Sequence, residues 1–425
     1  MILVQSLLQQ LNGNRFRIIL YIVIVGISLQ SCVFLEDLFA EKSKKERTGD
    51  REEKEDVTVK EMDWEDKTDE DEVVTEYPDE SSFEGRSVNI LFALPFQDKR
   101  ADRTTSFYVG FKMAAEQYSG SRDYKVSSFD IDDLSKSTGS METLIKPENA
   151  DLIVGPYSST DVNRVIGYAK NFHIPFVSPW NTSTTIDLYE EYIQLNTGLN
   201  AHLEEMAEFA RNQFGSERSL ILAERKDSRL VDIIKKEEPL IESYFTSSNP
   251  RDEIEDITNI LESKDIRTVI LPNWRSADES YLISLLSALN AARGNRLLSV
   301  LALGTWMNND NVSFDQFDGL NFHFTSSRFL DEVSPKVQRL DEKYFQKYKY
   351  FASEEVYYGY DIFYLLTGLI DQYGIDWIQN IENSDCRDCF FKYDMIKGEY
   401  EGQPYIFNDH VNIVSFRNFQ YSRAN

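Results

Sequence analysis

From residue 88 onward the apolar positions alternate between two periods. Val88–Leu94 is a nearly unbroken apolar run that stops at Pro95, as a strand buried on both faces would. Residues 107–117 follow with Phe107, Phe111, Ala114 and Ala115 at helical spacing. Residues 124–131 read as a second strand. Residues 151–154 are a third, closed by Gly155-Pro156, and residues 174–177 a fourth, closed by Ser178-Pro179, with a helix over 160–172 between them. The alternation then restarts, with helices at 201–213, 254–263 and 280–292 and strands at 219–222, 268–271 and 297–303. Two long helical stretches, 335–350 and 356–373, come next. The tail over 390–421 is aromatic and β-rich, with Gly398 and Gly402 as turn signals. Strand and helix at this pitch predict right-handed crossovers and parallel sheets. The expected fold class is α/β, with two Rossmann-like lobes and a hinged cleft between them. The first lobe is expected over 87–198 and the second over 199–325, with 326–425 returning to the first and adding a tail shared by both. Such a cleft is the usual place for a small ligand.

The first 86 residues do not share this pattern. Asn14-Arg15-Phe16-Arg17 precedes an apolar run over 18–29, shorter than the ~20 residues a membrane-crossing helix needs. A positive flank before a short apolar run reads as a secretory signal. The alternative, a buried core helix, sits poorly with the acidic stretch behind it. Residues 46–86 hold 18 of the 72 acidic residues against 6 bases, so much of the net charge of −27 is concentrated there. Runs such as Glu52-Glu53-Lys54-Glu55-Asp56 cannot pack against one another, and residues 32–86 read as a solvated, disordered tether. A calcium-binding segment is the alternative, without EF-hand spacing to support it. Hydrophobic residues make up 41% of the whole chain, enough to build a sizeable core. So acidic a surface repels phosphate, and no nucleic-acid partner is expected.

Leu29-Gln30-Ser31-Cys32 resembles the bacterial lipobox. The resemblance implies a signal peptide over 1–31, cleavage after Ser31 and lipidation of Cys32, each buried CH₂ of the acyl chains contributing about 0.8 kcal/mol to membrane anchoring. A plain secreted protein and an uncleaved anchor are the alternatives. The implied location is the cell envelope, at the outer membrane facing the periplasm. Glu36 and Asp37 close behind the cysteine are a cue for the cell surface instead.

Residues 150–160, Ala-Asp-Leu-Ile-Val-Gly-Pro-Tyr-Ser-Ser-Thr, and residues 174–182, Ile-Pro-Phe-Val-Ser-Pro-Trp-Asn-Thr, resemble in order the two first-lobe signatures of type I periplasmic binding proteins, the branched-chain amino acid-binding family. Leu94-Pro95, Gly110-Phe111 with Ala114-Ala115, and Tyr360-Asp361 are further matches, and the resemblance spans roughly 88–421. The residues also speak for themselves. Gly155-Pro156 ends a strand, and Ser158-Ser159-Thr160 opens a helix whose unpaired N–H groups and hydroxyls suit a carboxylate, amide or anion. Ser158 or Ser159 as a plain helix cap is the competing reading. The resemblance implies that Ser159 and Thr182 bond a ligand carboxylate, and that the backbone at Trp180 accepts from its ammonium. Trp274 stands where the family places an aromatic residue. After Gly304, where the family commonly has an acid for the ammonium, come Thr305, Trp306 and Met307, with no acid before Asp310. The family's tyrosine in this lobe is replaced by Ser228. Because a buried ammonium without a partner is costly, these departures point to a less polar ligand or to a lobe that has lost binding. Trp180, Trp274 and Trp306 are candidate stacking walls, with ordinary packing as the alternative for the last two.

Cys386-Arg387-Asp388-Cys389 is a lone CxxC. A zinc site needs four ligands, and His173, His202, His323 and His410 show no metal spacing. A short-loop disulfide between Cys386 and Cys389 is expected, with a redox-active pair as the alternative. His202-Leu203-Glu204-Glu205 is not HExxH and reads as a solvated helix face. No nucleophile elbow or phosphate loop is present, so neither catalysis, a metal nor a cofactor is expected. The expected function is binding of a small polar solute (an amino acid, amide or short peptide) and, by resemblance, its delivery to an ABC importer permease. The alternative is an envelope scaffold of the same fold that regulates peptidoglycan synthesis through a cell-wall synthesis protein.

Overall fold

The computed structural model describes residues 83, 85–97, 101–134, 139–307, 309 and 311–424, all within one compact unit, Glu76–Asn425. The expected signal peptide, Cys32 and the tether up to residue 82 lie outside the described residues. The chain first builds β1 (Val88–Leu94), α1 (Ala101–Gln117), β2 (Tyr124–Asp130), the short α2 (Ile131–Leu134) and α3 (Gly139–Leu144), β3 (Leu152–Val154), α4 (Ser159–Asn171), β4 (Phe176–Ser178) and β5 (Tyr192–Gln194). It then builds α5 (Leu199–Phe214), β6 (Ser219–Glu224), α6 (Ser228–Glu237), β7 (Glu242–Thr246), α7 (Ile254–Ser263), β8 (Thr268–Leu271), α8 (Glu279–Ala292), β9 (Ser299–Leu303), α9 (Phe314–Gly319) and β10 (Phe322–Ser326). Last come α10 (Pro335–Tyr348), α11 (Glu354–Tyr373), β11 (Met395–Tyr400), β12 (Gln403–Asn408), β13 (Asn412–Arg417) and β14 (Gln420–Arg423).

These strands form two seven-stranded sheets, ordered β11-β12-β5-β4-β3-β1-β2 and β14-β13-β10-β9-β8-β6-β7. The first five strands of each lobe are parallel and follow the same winding order, second-first-third-fourth-fifth. The tail contributes one hairpin to each sheet. β12 joins β5 in parallel, whereas β13 joins β10 antiparallel. The unbroken apolar run of β1 has a direct cause. Val88, Ile90, Phe92 and Leu94 pack on one face with α1 and α11, while Leu91 and Ala93 pack on the other with α4.

α1 and α11 touch through glycine. A Cβ on Gly110 would lie 1.9 Å from the Val356 carbonyl oxygen, and one on Gly359 would lie 1.9 Å from that of Phe107. Asp361, fully buried on α11, accepts from the backbone N–H groups of Phe390 and Phe391 at 2.7–2.8 Å. Burial pushes its carboxyl up to about 8 despite those bonds. The loop it holds carries Cys386 and Cys389, which are joined as a disulfide with Cα atoms 5.3 Å apart.

Three strands carry too little apolar pattern to stand out in the sequence. β5 is three residues long, β7 is a half-exposed edge strand, and β10 interrupts its apolar residues with His323, Thr325 and Ser326. Gly398 lies within β11 rather than at a turn. The turn is Glu401-Gly402, where both residues take positive φ, as a tight hairpin requires.

The chain passes between the lobes at 195–198, 327–334 and 409–411, and side chains tie these passages together. Asn408 Nδ2 donates to the Leu195 carbonyl at 3.1 Å, Thr197 Oγ1 donates to that of His410 at 2.8 Å, and Asn412 Nδ2 donates to that of Ser326 at 3.2 Å.

In β10, His323 is buried against the rings of Phe209 and Phe214. Burial, with Arg417 nearby, pulls its imidazole down to about 4. The unfolded chain therefore takes up the proton first, so this stability is present above about pH 6.5 and is lost as pH falls toward 4. Urea unfolding of the wild type should weaken by roughly 3 kcal/mol more than that of His323→Phe over this window. Equal slopes for the two proteins would refute the assignment.

Candidate ligand-binding site

The carboxyl ends of parallel strands gather the loops that can hold a ligand. In the first lobe these are the loops after β3 and β4. Ser158 caps α4: its Oγ accepts from the Asp161 N–H at 3.2 Å and donates to the Asp161 carboxylate at 2.6 Å. The Ser159 hydroxyl donates to Asn181 Oδ1 at 2.8 Å. Trp180 is buried between Phe107 and Tyr157, and its Nε1–H donates to Glu355 at 3.0 Å. Its carbonyl, the implied acceptor for an ammonium, accepts instead from Asn196 Nδ2 at 3.3 Å. Glu355, on the first turn of α11, also takes Arg103 as an ion-pair partner and Arg328 at 3.5 Å. The Arg328 guanidinium carbon lies over the Tyr358 ring, 4.1 Å from its centre. The first lobe thus satisfies most of its own polar groups where the resemblance placed the ligand.

In the second lobe, Trp306 is 2% exposed, and its Nε1–H donates to the Asn273 carbonyl at 2.6 Å. It packs within the hydrophobic core, in keeping with the ordinary-packing alternative given for it. Trp274, just after β8, is 41% exposed, with Arg275 over its ring.

Between the lobes lies a cavity of about 340 Å³. Thr182 and Trp274 both line it, brought from the loops after β4 and β8. Asn196 and Thr197 enter from the first passage between the lobes, Leu199 and His202 from the start of α5, Leu303 to Thr305 from the end of β9, and Thr325 to Ser327 from the end of β10. The cavity therefore sits at the carboxyl ends of both sheets. Gly304 is required here, because a Cβ would lie 2.3 Å from the Thr325 carbonyl oxygen. The lining residues are hydroxyl, amide, imidazole and apolar, without an acid or a lysine or arginine. His202 was expected on a solvated face. Instead burial pulls its imidazole down to about 4, so it is neutral near pH 7, and its Nε2 pairs with Ser327 Oγ at 3.1 Å. Sequence reasoning missed Asn196, Thr197, His202 and the β10 end, because chain distance hides their convergence.

A larger cavity of about 660 Å³ opens at the amino ends of the second sheet's strands. Its arginines are already paired, Arg218 and Arg267 with Asp265 and Arg417 with Asn321. His173, Glu190 and Glu191 bring one ligand atom each to within 4.8 Å of one another, a convergence their spacing does not reveal. His173 Nδ1 lies 3.6 Å from Glu191, whose carboxyl is raised by burial and by Glu190 beside it.

Among the described residues no helix is long and apolar enough to cross a membrane. No protein-family model and no curated protein matches the chain. Solved structures do. A protein assigned to branched-chain amino acid ABC transport from Rhodospirillum rubrum matches at 12% identity, over 80% of this chain and 100% of its own, with a TM-score of 0.59. An ABC transporter substrate-binding protein from Desulfitobacterium hafniense matches at 12% identity and a TM-score of 0.56, and its complex with Leu at 13% and 0.51, both over 80% of this chain and 100% of theirs. At these identities the likeness concerns the fold: two α/β lobes, each with a mostly parallel sheet, arranged as in type I periplasmic binding proteins.

Proposed function

We propose that the chain is the solute-binding component of an ABC importer, held on the cell envelope by a lipidated Cys32 and the acidic tether behind it. It binds and releases a small polar solute and does not transform it. The observation that carries this reading is the cavity at the carboxyl ends of both sheets, lined from both lobes and from the passages that join them. A ligand there touches both lobes at once, so binding is coupled to closure about the three tied passages.

A second reading has its own support. Glu355, Arg103, Arg328 and Trp180 close off the first lobe's strand ends among themselves, as befits an envelope scaffold acting on a peptidoglycan synthase. Thermal unfolding against amino acids, amides, short peptides and muropeptides separates the two. Solute binding predicts a raised midpoint, since a ligand at 100 times its dissociation constant adds about 2.7 kcal/mol. Trp274→Ala and Thr182→Val should weaken that ligand at least tenfold. A shift that both variants leave unchanged would place binding elsewhere. Capture of a peptidoglycan synthase with no shift across the panel would favour the scaffold.

A further inference from the structure

We propose that the interlobe cavity takes an uncharged solute, whose hydroxyl or amide groups pair with His202, Thr325 and the first turn of α5. This rests on the solute-binding reading above and narrows its ligand.

Two enclosed polar atoms at the cavity have no hydrogen-bond partner, His202 Nδ1 and Thr325 Oγ1. Thr325 is 1% exposed, so a hydroxyl left unanswered there is costly. Alternation along β10 puts Thr325 on the same face as His323, which packs against Phe209 of α5. The side chain of Thr325 therefore points toward α5, whose first turn carries Leu199 and His202 into the cavity wall. That helix starts at Gly198, which offers no side chain to cap it. Its first N–H groups thus present a further set of donors at the same place.

The chemistry of this trio is two-sided. His202 Nε2 shares one hydrogen bond with the Ser327 hydroxyl. If Nε2 donates, Nδ1 is left as an acceptor; if Nε2 accepts, Nδ1 is left as a donor. Thr325 Oγ1 can donate and accept, while the α5 N–H groups only donate. A hydroxyl or an amide can answer all three, because each carries both kinds of group. A charged group cannot be answered as well. An ammonium would meet no carboxylate among the lining residues, and the helix start would oppose it. A carboxylate would find at the helix start only about half an elementary charge, with no guanidinium, ammonium or charged imidazole beside it. Trp274 adds an apolar wall at the exposed rim, suited to the carbon face of such a solute.

The test is calorimetric titration of the full protein with pairs matched in shape and differing in charge. Leucine and isoleucine are set against their N-acetyl amides, and glucose and galactose against their uronic acids and 2-amino sugars. Small molecules released from the purified protein on denaturation are identified by mass spectrometry. The expected result is that an uncharged member binds at least tenfold more tightly than its charged partners, and that His202→Phe and Thr325→Val each weaken it at least tenfold. Thr325→Val keeps the side-chain shape, so it stays informative if His202→Phe fails to fold. A charged member binding as tightly as its neutral partner, or a charged molecule released on denaturation, would overturn the inference and leave solute binding standing. Neutral binding that ignores both substitutions would overturn the role of these residues. No binding by any pair and no released molecule would end the solute-binding reading itself, and this inference with it.

Discussion

Gly359→Ala should destabilise the protein by about 3 kcal/mol or more, whereas Gly368→Ala on the same helix should stabilise it by about 0.5–1 kcal/mol. Both glycines lie in α11, and alanine is the better helix former at both. What differs is the space. A Cβ at 359 meets the Phe107 carbonyl oxygen at 1.9 Å and its carbon at 2.8 Å, while at 368 nothing lies within 4 Å. The obstructing atoms are backbone, so no rotamer change relieves the clash. α1 and α11 would have to part, loosening Phe107 from Tyr358 and Phe111 from Phe363. Gly110→Ala, the reciprocal change on α1, should behave as Gly359→Ala does. Urea unfolding measures all three, and equal midpoints for Gly359→Ala and Gly368→Ala would contradict the helix contact.

Glu355→Ala should cost about 3–5 kcal/mol, the range for removing one partner of a buried ion pair. The loss leaves the Arg328 guanidinium, only 13% exposed in its side chain, with Glu354 alone, and strands the buried Trp180 Nε1–H. Arg103 is 44% exposed and adds little. Adding Arg328→Met to Glu355→Ala should recover part of the loss, because an apolar pair asks for no desolvated charge. Chemical denaturation of the two single variants and the double variant tests this. Additive losses would mean that the two side chains do not share one network.

Glu355 illustrates why much of the site was hidden in the sequence. It is one of 72 acidic residues, and nothing local marks it. Its partners come from α1, from the loop after β4 and from the second passage between the lobes. The same holds for His202, an unremarkable helix position until β10 is laid beneath it. Thr182 and Trp274 were readable because each closely follows a strand, and strand ends are where α/β sheets present ligands. Trp306 follows a strand just as closely, yet its ring turns inward to the Asn273 carbonyl. Position after a strand fixes the end of the sheet and not the direction of the side chain.

The sequence by itself determined the local order of this protein. Apolar runs stopped by Pro95, Gly155-Pro156 and Ser178-Pro179 set strand ends, helical spacing set α1, α4, α5, α7, α8, α10 and α11, and their alternation set a parallel α/β fold. These are short-range effects of period and backbone geometry, and a few residues suffice to express them. The tertiary structure alone decided the rest: the repeated winding order, the assignment of one tail hairpin to each sheet, the glycine contact of α1 with α11, and the uncharged cavity between the lobes. Each of these depends on residues far apart in the chain meeting at distances of a few ångströms. Burial and pairing at such meetings, and not residue type, set whether a histidine is charged, whether a tryptophan faces a ligand and whether a glycine can be replaced.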